Sequence, residues 1–490
     1  MHPRRIGPAA LLIVLALNAL IYLFLVADHR FPRATGTRTL YETQRATLSG
    51  AGDLVAPPGL LAKALRPLSP WTGPLNALPL FHAGMFLDEA LFILGVGLLA
   101  GRYFASRRTV FVVLAGAAGS SLWMDHAGAN FHSIQGVPLA LHLIHGFLES
   151  GARRNLLFAA NLLALQGTAS SAVATVLYLA CHAALRPGDA AARLAALRVR
   201  AVDGIWGLAL VASLAPLLCR AGGIPAGSHR PSAEYLDLLM GVAPSTHTTV
   251  FCGFFTLALA LRAFQGCGRR RAFLLLGMAL AAFGILSLVG PAAPWVRLVL
   301  VFLSGLGFER AVHDPQGGRR IAEGMLFLGT ALMLVALGMV EYLLPQAAAV
   351  RGFLGPAPDD LGITDLQQLR LLSELLGMAA ASAGVAGIVL WLQAARRRAA
   401  PLAVALILML HPTDVFGWKS RMTWLRSAPL TPAQYESQKL QAPAGERPSP
   451  GPLQRAASIV VALSSAAWLG ALAWACAREA RRRPGVRVRA

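Results

Sequence analysis

The carboxylate and imidazole side chains of this chain stand beside its apolar stretches, where they could move protons or bind polar groups. Asp28 comes just after the first apolar run, residues 6–26. A carboxylate held at the membrane surface is well placed to take a proton from a hydroxyl whose lipid-linked reaction partner lies in the same leaflet. The alternative interpretation is an ordinary acidic residue at the end of a helix.

Two adjacent carboxylates, Asp88 and Glu89, lie inside the second apolar stretch, residues 80–100. Ionisable groups within a membrane span are costly, which makes them candidates for function. Neighbouring residues on a helix point about 100° apart, so both can face a polar cavity but cannot share one proton as a facing pair. The alternative is a hydrated helix end near the outer surface.

A third group of polar residues, Asp125, His126 and His132, precedes the apolar stretch that contains His142 and His145. Their spacing matches no standard zinc motif, so we predict a polar lining that hydrogen-bonds substrate or backbone, with a divalent metal ion as the alternative. No metal site and no cofactor is predicted. The five cysteines form no CxxC pair and are predicted to be small buried side chains.

The elements that must position these residues are membrane helices. The chain has 490 residues, of which 56% are hydrophobic and 14% charged, and its mean hydropathy is +0.57. Its net charge of +21 lies in short breaks between apolar stretches and in the tail, which is typical of the positive-inside pattern and disfavours a nucleic-acid partner. The basic clusters are Arg102 to Arg108, Arg153 and Arg154, Arg186 to Arg200, Arg269 to Arg271, Arg319 and Arg320, and Arg396 to Arg398.

The predicted fold is all-α, a polytopic transmembrane helical bundle of about fourteen spans in a bacterial inner membrane. It forms one integral-membrane domain over residues 1–490, with both termini cytoplasmic and a basic tail at 478–490. Residues 27–79 and 412–455 are the first and last extracytoplasmic loops. Within the first loop, leucines can form the apolar face of an interfacial helix, although an irregular Pro-rich loop fits equally. These leucines are Leu54, Leu60, Leu61, Leu65 and Leu68.

Residues 80–166 resemble the YfhO-like bacterial membrane proteins of the GT-C glycosyltransferase superfamily. The resemblance rests on Phe86-Leu87-Asp88-Glu89, Gly101-Arg102-Tyr103-Phe104, Gly119 to Met124, Pro138 to His142 and Phe147 to Gly151. The stretch from Pro294 to Arg297 and from Gly305 to Arg310 is similar to the Arg-bearing helix of the same proteins.

This resemblance implies a GT-C-like enzyme that moves a sugar from a polyprenyl-phosphate donor to an extracytoplasmic acceptor, a cell-envelope glycan or lipid. It implies a catalytic acidic residue in the first outer loop, and Asp28 fits that position. Of the other candidates, Arg230 or Arg297 would lie near the phosphate. The group Asp88, Glu89, Asp125, His126 and His132 would bind the substrate.

Two departures from the family pattern point to an altered acceptor or to lost activity. The run after Trp123 is rich in Gly and Ala where an aromatic-rich run is more typical, and the chain ends soon after Arg455 without the large outer domain of many relatives. The alternatives to the enzyme are a lipid or solute transporter or flippase, and a non-catalytic membrane protein derived from a GT-C enzyme.

Overall fold

A computed structural model describes thirteen segments of the chain. These are residues 8–32, 35–49, 59–71, 75–119, 134–166, 169–185, 253–265, 293–314, 316–343, 365–395, 399–425, 427–440 and 452–481. The predicted site residues Asp125, His126, His132 and Arg230 lie outside these segments.

The described chain is almost entirely helical, as its apolar stretches predict. The helices are α1 (Pro8–Ala27), α2 (Thr35–Leu48), α3 (Leu60–Leu65), α4 (Ala77–Tyr103), α5 (Arg107–Gly119), α6 (Val137–Ser150), α7 (Arg153–Gln166), α8 (Ala169–Leu185), α9 (Phe254–Phe264), α10 (Ala293–His313), α11 (Arg319–Gly338), α12 (Asp365–Ala395), α13 (Ala400–Leu425), α14 (Pro432–Glu436) and α15 (Pro452–Arg481). Short 3-10 turns follow α3 (Arg66–Trp71) and precede α11 (Gln316–Gly318), and a π turn follows α11 (Met339–Leu343). Two short strands, β1 (Arg30–Pro32) and β2 (Ser427–Pro429), pair antiparallel.

Long apolar helices identify a membrane-embedded helical protein. In the described segments, five helices are long and apolar enough to cross a membrane. They are Ala9–Ala27, Ala77–Tyr103, Gln316–Glu341, Ser373–Ala395 and Ala400–Arg421, and shorter apolar helices cover Ser171–Ala180, Phe254–Phe264 and Ile459–Trp474. The prediction of a helical membrane protein is therefore confirmed, while the count of fourteen spans and the GT-C arrangement stay predictions.

Helix α4 forms the centre of the described bundle. It begins where the Asn76 side chain accepts a hydrogen bond from the Leu78 amide (2.9 Å), and it ends at Phe104, whose backbone is extended. Its apolar side chains pack with those of α1, α5, α6 and α7 in one core, which includes Ile93, Val96 and Val113. A second core joins α9 to α13 and is filled mainly by Ala, Leu and Phe. The acidic pair in α4 therefore lies at the centre of the bundle.

Helix α13 differs from its predicted boundaries. The sequence predicted a span over 401–411 followed by the last outer loop, but the helix passes through Pro412 and continues to Leu425. Proline removes one backbone hydrogen bond, and side-chain contacts can compensate for it. Beyond Pro412, Asp414 and Lys419 both bond to neighbouring helices. The outer part of this helix can therefore carry side chains into the bundle.

Helices α9 and α10 pack with their backbones in direct contact. A side-chain carbon at Gly307 of α10 would lie 1.7 Å from the carbonyl oxygen of Leu259 in α9. Small residues at such crossings allow the close approach on which packing in membranes depends.

We expect Gly307→Ala to lower the free energy of unfolding by about 1–3 kcal/mol, the usual cost of an overpacked core. Thermal unfolding in detergent measures it. The matched control is Gly324→Ala in α11, where nothing lies within 4 Å of the added carbon. Equal unfolding midpoints for the two variants would contradict the close packing of α9 on α10.

Candidate functional site

The first and last predicted outer loops come together at one end of the bundle. Strand β1 pairs with β2, the Ala77 amide donates to the Gln438 carbonyl (3.0 Å), and the Leu440 amide donates to the Leu75 carbonyl (2.9 Å). We call α2, α3, β1, β2 and α14 the cap. Because the two loops share these bonds, they lie on the same side of the bundle.

Asp28 lies at the edge of the cap, one residue beyond α1. Its Oδ2 accepts a hydrogen bond from Arg30 Nη1 (2.9 Å), and its side chain is 48% exposed. The carboxylate is therefore fixed in direction while it stays open to a ligand.

Arg30 holds this carboxylate from a buried position. Its Nε donates to Ser427 Oγ (2.9 Å), and its Nη2 donates to the carbonyls of Trp424 (3.0 Å) and Ser427 (2.9 Å). Its guanidinium lies 3.4 Å from the centre of the Trp424 ring. A guanidinium with this many directed contacts is held in one geometry. We call Asp28 and Arg30 the rim, and these contacts hold it in a defined geometry.

His29, between these two residues, has a left-handed backbone with φ of 46°. This conformation is uncommon for residues other than glycine and is concentrated at functional sites. The His29 ring lies 3.9 Å from that of Tyr435 in the segment after β2, which fixes the turn. The turn directs the side chains of Asp28 and Arg30.

Helix α4 connects this rim to the buried acidic pair. The His82 ring donates through Nε2 to the Arg30 carbonyl (2.8 Å), since a carbonyl can only accept. Glu89 follows His82 by two helical turns on the same face, which places it about 10 Å deeper along the helix. The rim and the acidic pair are therefore attached to the same helix at two depths.

Glu89 is part of a buried ion pair that the sequence analysis did not predict. Its Oε2 accepts from Lys419 Nζ (2.6 Å) and its Oε1 from the Tyr22 hydroxyl (2.8 Å). Lys419 Nζ also donates to Asn18 Oδ1 (2.6 Å) and to the carbonyl of Ala118 (3.0 Å). An ammonium group has three N–H bonds, which these three acceptors match. The partner of Glu89 in the structure is a cation, and its predicted role in substrate binding stays a prediction.

Asp88 has partners other than those of Glu89. Its Oδ1 accepts from the Leu60 amide at the start of α3 (3.2 Å), and the side chain of Gln135 lies next to its carboxyl. A side-chain carbon at Gly59 would lie 2.3 Å from Asp88 Oδ2. Asp88 is buried and holds α3 against the bundle. Its role as a substrate ligand also stays a prediction.

Helix α3 lies in the stretch that was predicted to form either an interfacial helix or an irregular loop. Leu60 and Ala62 are buried against the protein, and the Lys63 ammonium donates to the Leu165 carbonyl (2.8 Å) at the end of α7. Leu68 is 43% exposed. A buried lysine bonded to the carboxyl end of a helix stabilises that end, so α3 is attached to α7, and its place at the membrane interface stays a prediction.

Two described residues on either side of 120–133 have contacts near the acidic pair. Near the end of α5, the Ala118 carbonyl is bound by Lys419, the partner of Glu89. Just before α6, Gln135 lies next to Asp88. Ala118 is thus bonded to the partner of Glu89, and Gln135 to Asp88.

Arg297, the second predicted phosphate ligand, is fully buried on α10. One turn along that helix, Val301 faces Gly116 of α5. Within the described segments, no group of three or more His, Cys, Asp or Glu side chains is arranged to hold a metal ion. This finding leaves residues 120–133 untested as a metal site.

The signal that could have identified Lys419 is compositional. The chain contains 44 Lys and Arg residues, of which Lys63, Lys419 and Lys439 are the lysines. Two of the three, Lys63 and Lys419, are buried. An ammonium is a compact point charge suited to a small cage of acceptors, so a rare Lys in an Arg-rich protein marks a site where Arg would not fit.

A cleft of about 340 Å³ lies between the ends of α9 and α10. Arg310 Nη1 bonds to the carbonyls of Ala263 and Gln265 there, and Arg262 Nη2 bonds to Asp314 Oδ2 (2.9 Å). The hydrogen bond from Arg262 holds the pKa of Asp314 below its ordinary value. These arginines bind helix ends, so the cleft is a weaker candidate than the rim.

Tyr41 of α2 shows how tightly the cap is closed. Its hydroxyl donates to Gln438 Oε1 (2.8 Å), and burial raises the pKa of its phenol to about 12. Because the pKa of Tyr41 is higher in the folded protein than in the unfolded chain, the neutral phenol stabilises the fold. This stabilisation is complete below the unfolded pKa of 10.0 and is lost as the pH rises through the folded pKa of about 12.

We therefore expect the unfolding midpoint of the wild type to fall more steeply between about pH 9 and pH 12 than that of Tyr41→Phe. At neutral pH the variant should lose about 1 kcal/mol, the value of one hydrogen bond. Thermal unfolding across this pH range measures both effects. Parallel pH curves would show that the phenol is not buried by the cap.

Comparisons with family models, with curated proteins and with solved structures find no match to this chain, so the chemistry of the site rests on its own geometry.

Proposed function

We propose that this protein is a membrane glycosyltransferase that moves a sugar from a polyprenyl-phosphate-linked donor to a hydroxyl acceptor at the cap end of the bundle. The observation that carries the proposal is the rim, where the half-exposed Asp28 carboxylate is held by the buried Arg30. A base at the end of a membrane helix can meet a donor dissolved in the adjoining leaflet.

In the proposed reaction, Asp28 accepts the proton of the acceptor hydroxyl as its oxygen attacks the sugar. A bond forms between that oxygen and the anomeric carbon, and the bond from this carbon to the phosphate oxygen breaks. The lipid phosphate leaves with the electron pair. A cation stabilises the leaving phosphate, for which Arg230 and Arg297 are the proposed groups.

The proposed sugar-binding residues are Asp88, Glu89, Asp125, His126 and His132. Of these, Asp88 and Glu89 are buried on α4. The proposed partners are the lipid-linked donor and the surrounding lipids of a bacterial inner membrane. No cofactor and no nucleic acid enters the reaction.

The test uses the full-length purified protein in lipid vesicles with a radiolabelled sugar on polyprenyl phosphate. We expect the label to pass to a hydroxyl acceptor or, more slowly, to water. Protein inactivated by heat is the control. Label that stays on the lipid in every preparation, with a series of acceptors and sugars, would reject the transferase.

A carrier is the second candidate, and one observation favours it. Helix α13 carries His411 and Asp414 on either side of Pro412, and Asp414 Oδ2 accepts from the Phe255 amide at the start of α9 (3.3 Å). Ionisable groups within membrane-spanning helices are typical of transport pathways. Accumulation of labelled substrate inside sealed vesicles, abolished by Asp414→Asn, would support the carrier.

A further inference from the structure

Two buried cations connect the same three helices at two depths. Near the rim, Arg30 follows α1, its carbonyl bonds to His82 of α4, and its guanidinium bonds to Trp424 and Ser427 at the end of α13. We call this set the rim network. Deeper in the bundle, Lys419 of α13 donates to Glu89 of α4 and to Asn18 of α1, and the Tyr22 hydroxyl of α1 donates to Glu89. We call these four residues the inner network.

The spacing along the three helices puts the networks in register. Tyr22 precedes Asp28 by six residues, His82 precedes Glu89 by seven, and Lys419 precedes Trp424 by five. At 1.5 Å per residue these separations are about 9, 10 and 8 Å, so one network lies at a nearly constant depth below the other.

Stability does not by itself account for the inner network. Removing two charges from water costs several kcal/mol per ion, and a well-packed apolar replacement of similar volume is often as stable. Such a network restricts the relative positions of the helices that carry it, because a hydrogen-bonded ion pair forms only in a narrow range of geometries. Apolar side chains can pack in many geometries.

We propose that the Glu89–Lys419 ion pair is a positioning device that fixes α1, α4 and α13 relative to one another and thereby fixes the Asp28 rim. Along α13, a chain of side-chain to backbone hydrogen bonds joins Lys419 to Ser427. Thr423 Oγ1 donates to the Lys419 carbonyl (2.7 Å), and Ser427 Oγ donates to the Thr423 carbonyl (2.9 Å). Ser427 in turn accepts the hydrogen bond from Arg30 Nε. The expected effect on catalysis rests on the proposed function of Asp28.

The experiment compares the full-length wild type with the neutral double variant Glu89→Gln/Lys419→Met. Hydrogen exchange is followed at the amides of residues 427–431, among which Leu430 donates to the His29 carbonyl (3.2 Å). We expect exchange there to be at least tenfold faster in the double variant. In the transfer assay, kcat should fall at least tenfold.

Lys63→Met is the matched control, because it removes another buried lysine bonded to a helix end. It touches neither α1 nor α13 through that bond, so exchange at residues 427–431 should stay within twofold of the wild type. If the control and the double variant accelerate exchange equally, the effect is general loosening and the positioning role is rejected.

Tyr22→Phe decides the question if the double variant does not fold. It removes one hydrogen bond to Glu89 and leaves the ion pair in place. We expect a two- to fivefold acceleration at residues 427–431, and unchanged exchange in every folded variant would overturn the proposal. Faster exchange without any transfer by the wild type would reject the proposed function alone.

Discussion

Asp28→Asn should lower the rate of sugar transfer by about 10²–10⁴-fold, the range that a general base contributes. The carboxamide has nearly the same size and keeps an oxygen that can accept the hydrogen bond from Arg30. The donor should therefore bind as before, and the loss should appear in kcat. Initial rates at saturating donor, with purified variants in vesicles, measure the effect.

The control for this prediction is Glu42→Gln in the same cap. Glu42 lies on α2, is 59% exposed and pairs with Arg38 (3.1 Å), and it should not affect the rate. A Asp28→Asn variant that transfers sugar at the wild-type rate would remove Asp28 from the chemistry. Equal losses in both variants would indicate that the charge of the cap matters rather than one base.

Lys419→Met should lower the free energy of unfolding by about 3–5 kcal/mol, since it leaves the buried Glu89 carboxylate without its cation. Adding Glu89→Gln should recover most of this loss, because the double variant has no charge left at the site. Thermal or denaturant unfolding in detergent compares the two. A large loss of stability in Lys419→Met that Glu89→Gln restores distinguishes a buried ion pair from one that water can reach.

An exposed ion pair provides the contrast. Arg319 and Glu323 lie one turn apart at the start of α11, with side chains 72% and 52% exposed, and Arg319→Gln should cost less than about 1 kcal/mol. If Lys419→Met cost no more than this exposed change, the inner network would not be buried as described. A double variant as unstable as the single one would mean that the packing, not the charge, is at fault.

Some features of the site could be predicted from local sequence. Asp28 was placed at the end of the first helix, and α1 does end at Ala27. Asp88 and Glu89 were expected to point about 100° apart on one helix, and they bond to different partners. Both predictions use the geometry of a single helix, which needs no knowledge of the rest of the chain.

Other features could not be predicted in this way. The sequence shows Pro412 as a break, yet α13 continues past it because its outer half is bonded to α1, α4 and α9. The leucines of α3 look suited to a membrane surface, but Asp88 and the other helices bury that segment. In each case contacts from distant residues outweigh the local preference.

Composition and the order of apolar stretches determined that this chain is a helical membrane protein, because the transfer of a segment into lipid depends on its own residues. Tertiary structure alone decided which cation meets which carboxylate. Glu89 and Lys419 are 330 positions apart, and Arg30 and Ser427 are 397 apart. No periodicity relates such residues, since only the packing of α1, α4 and α13 brings them within a hydrogen bond.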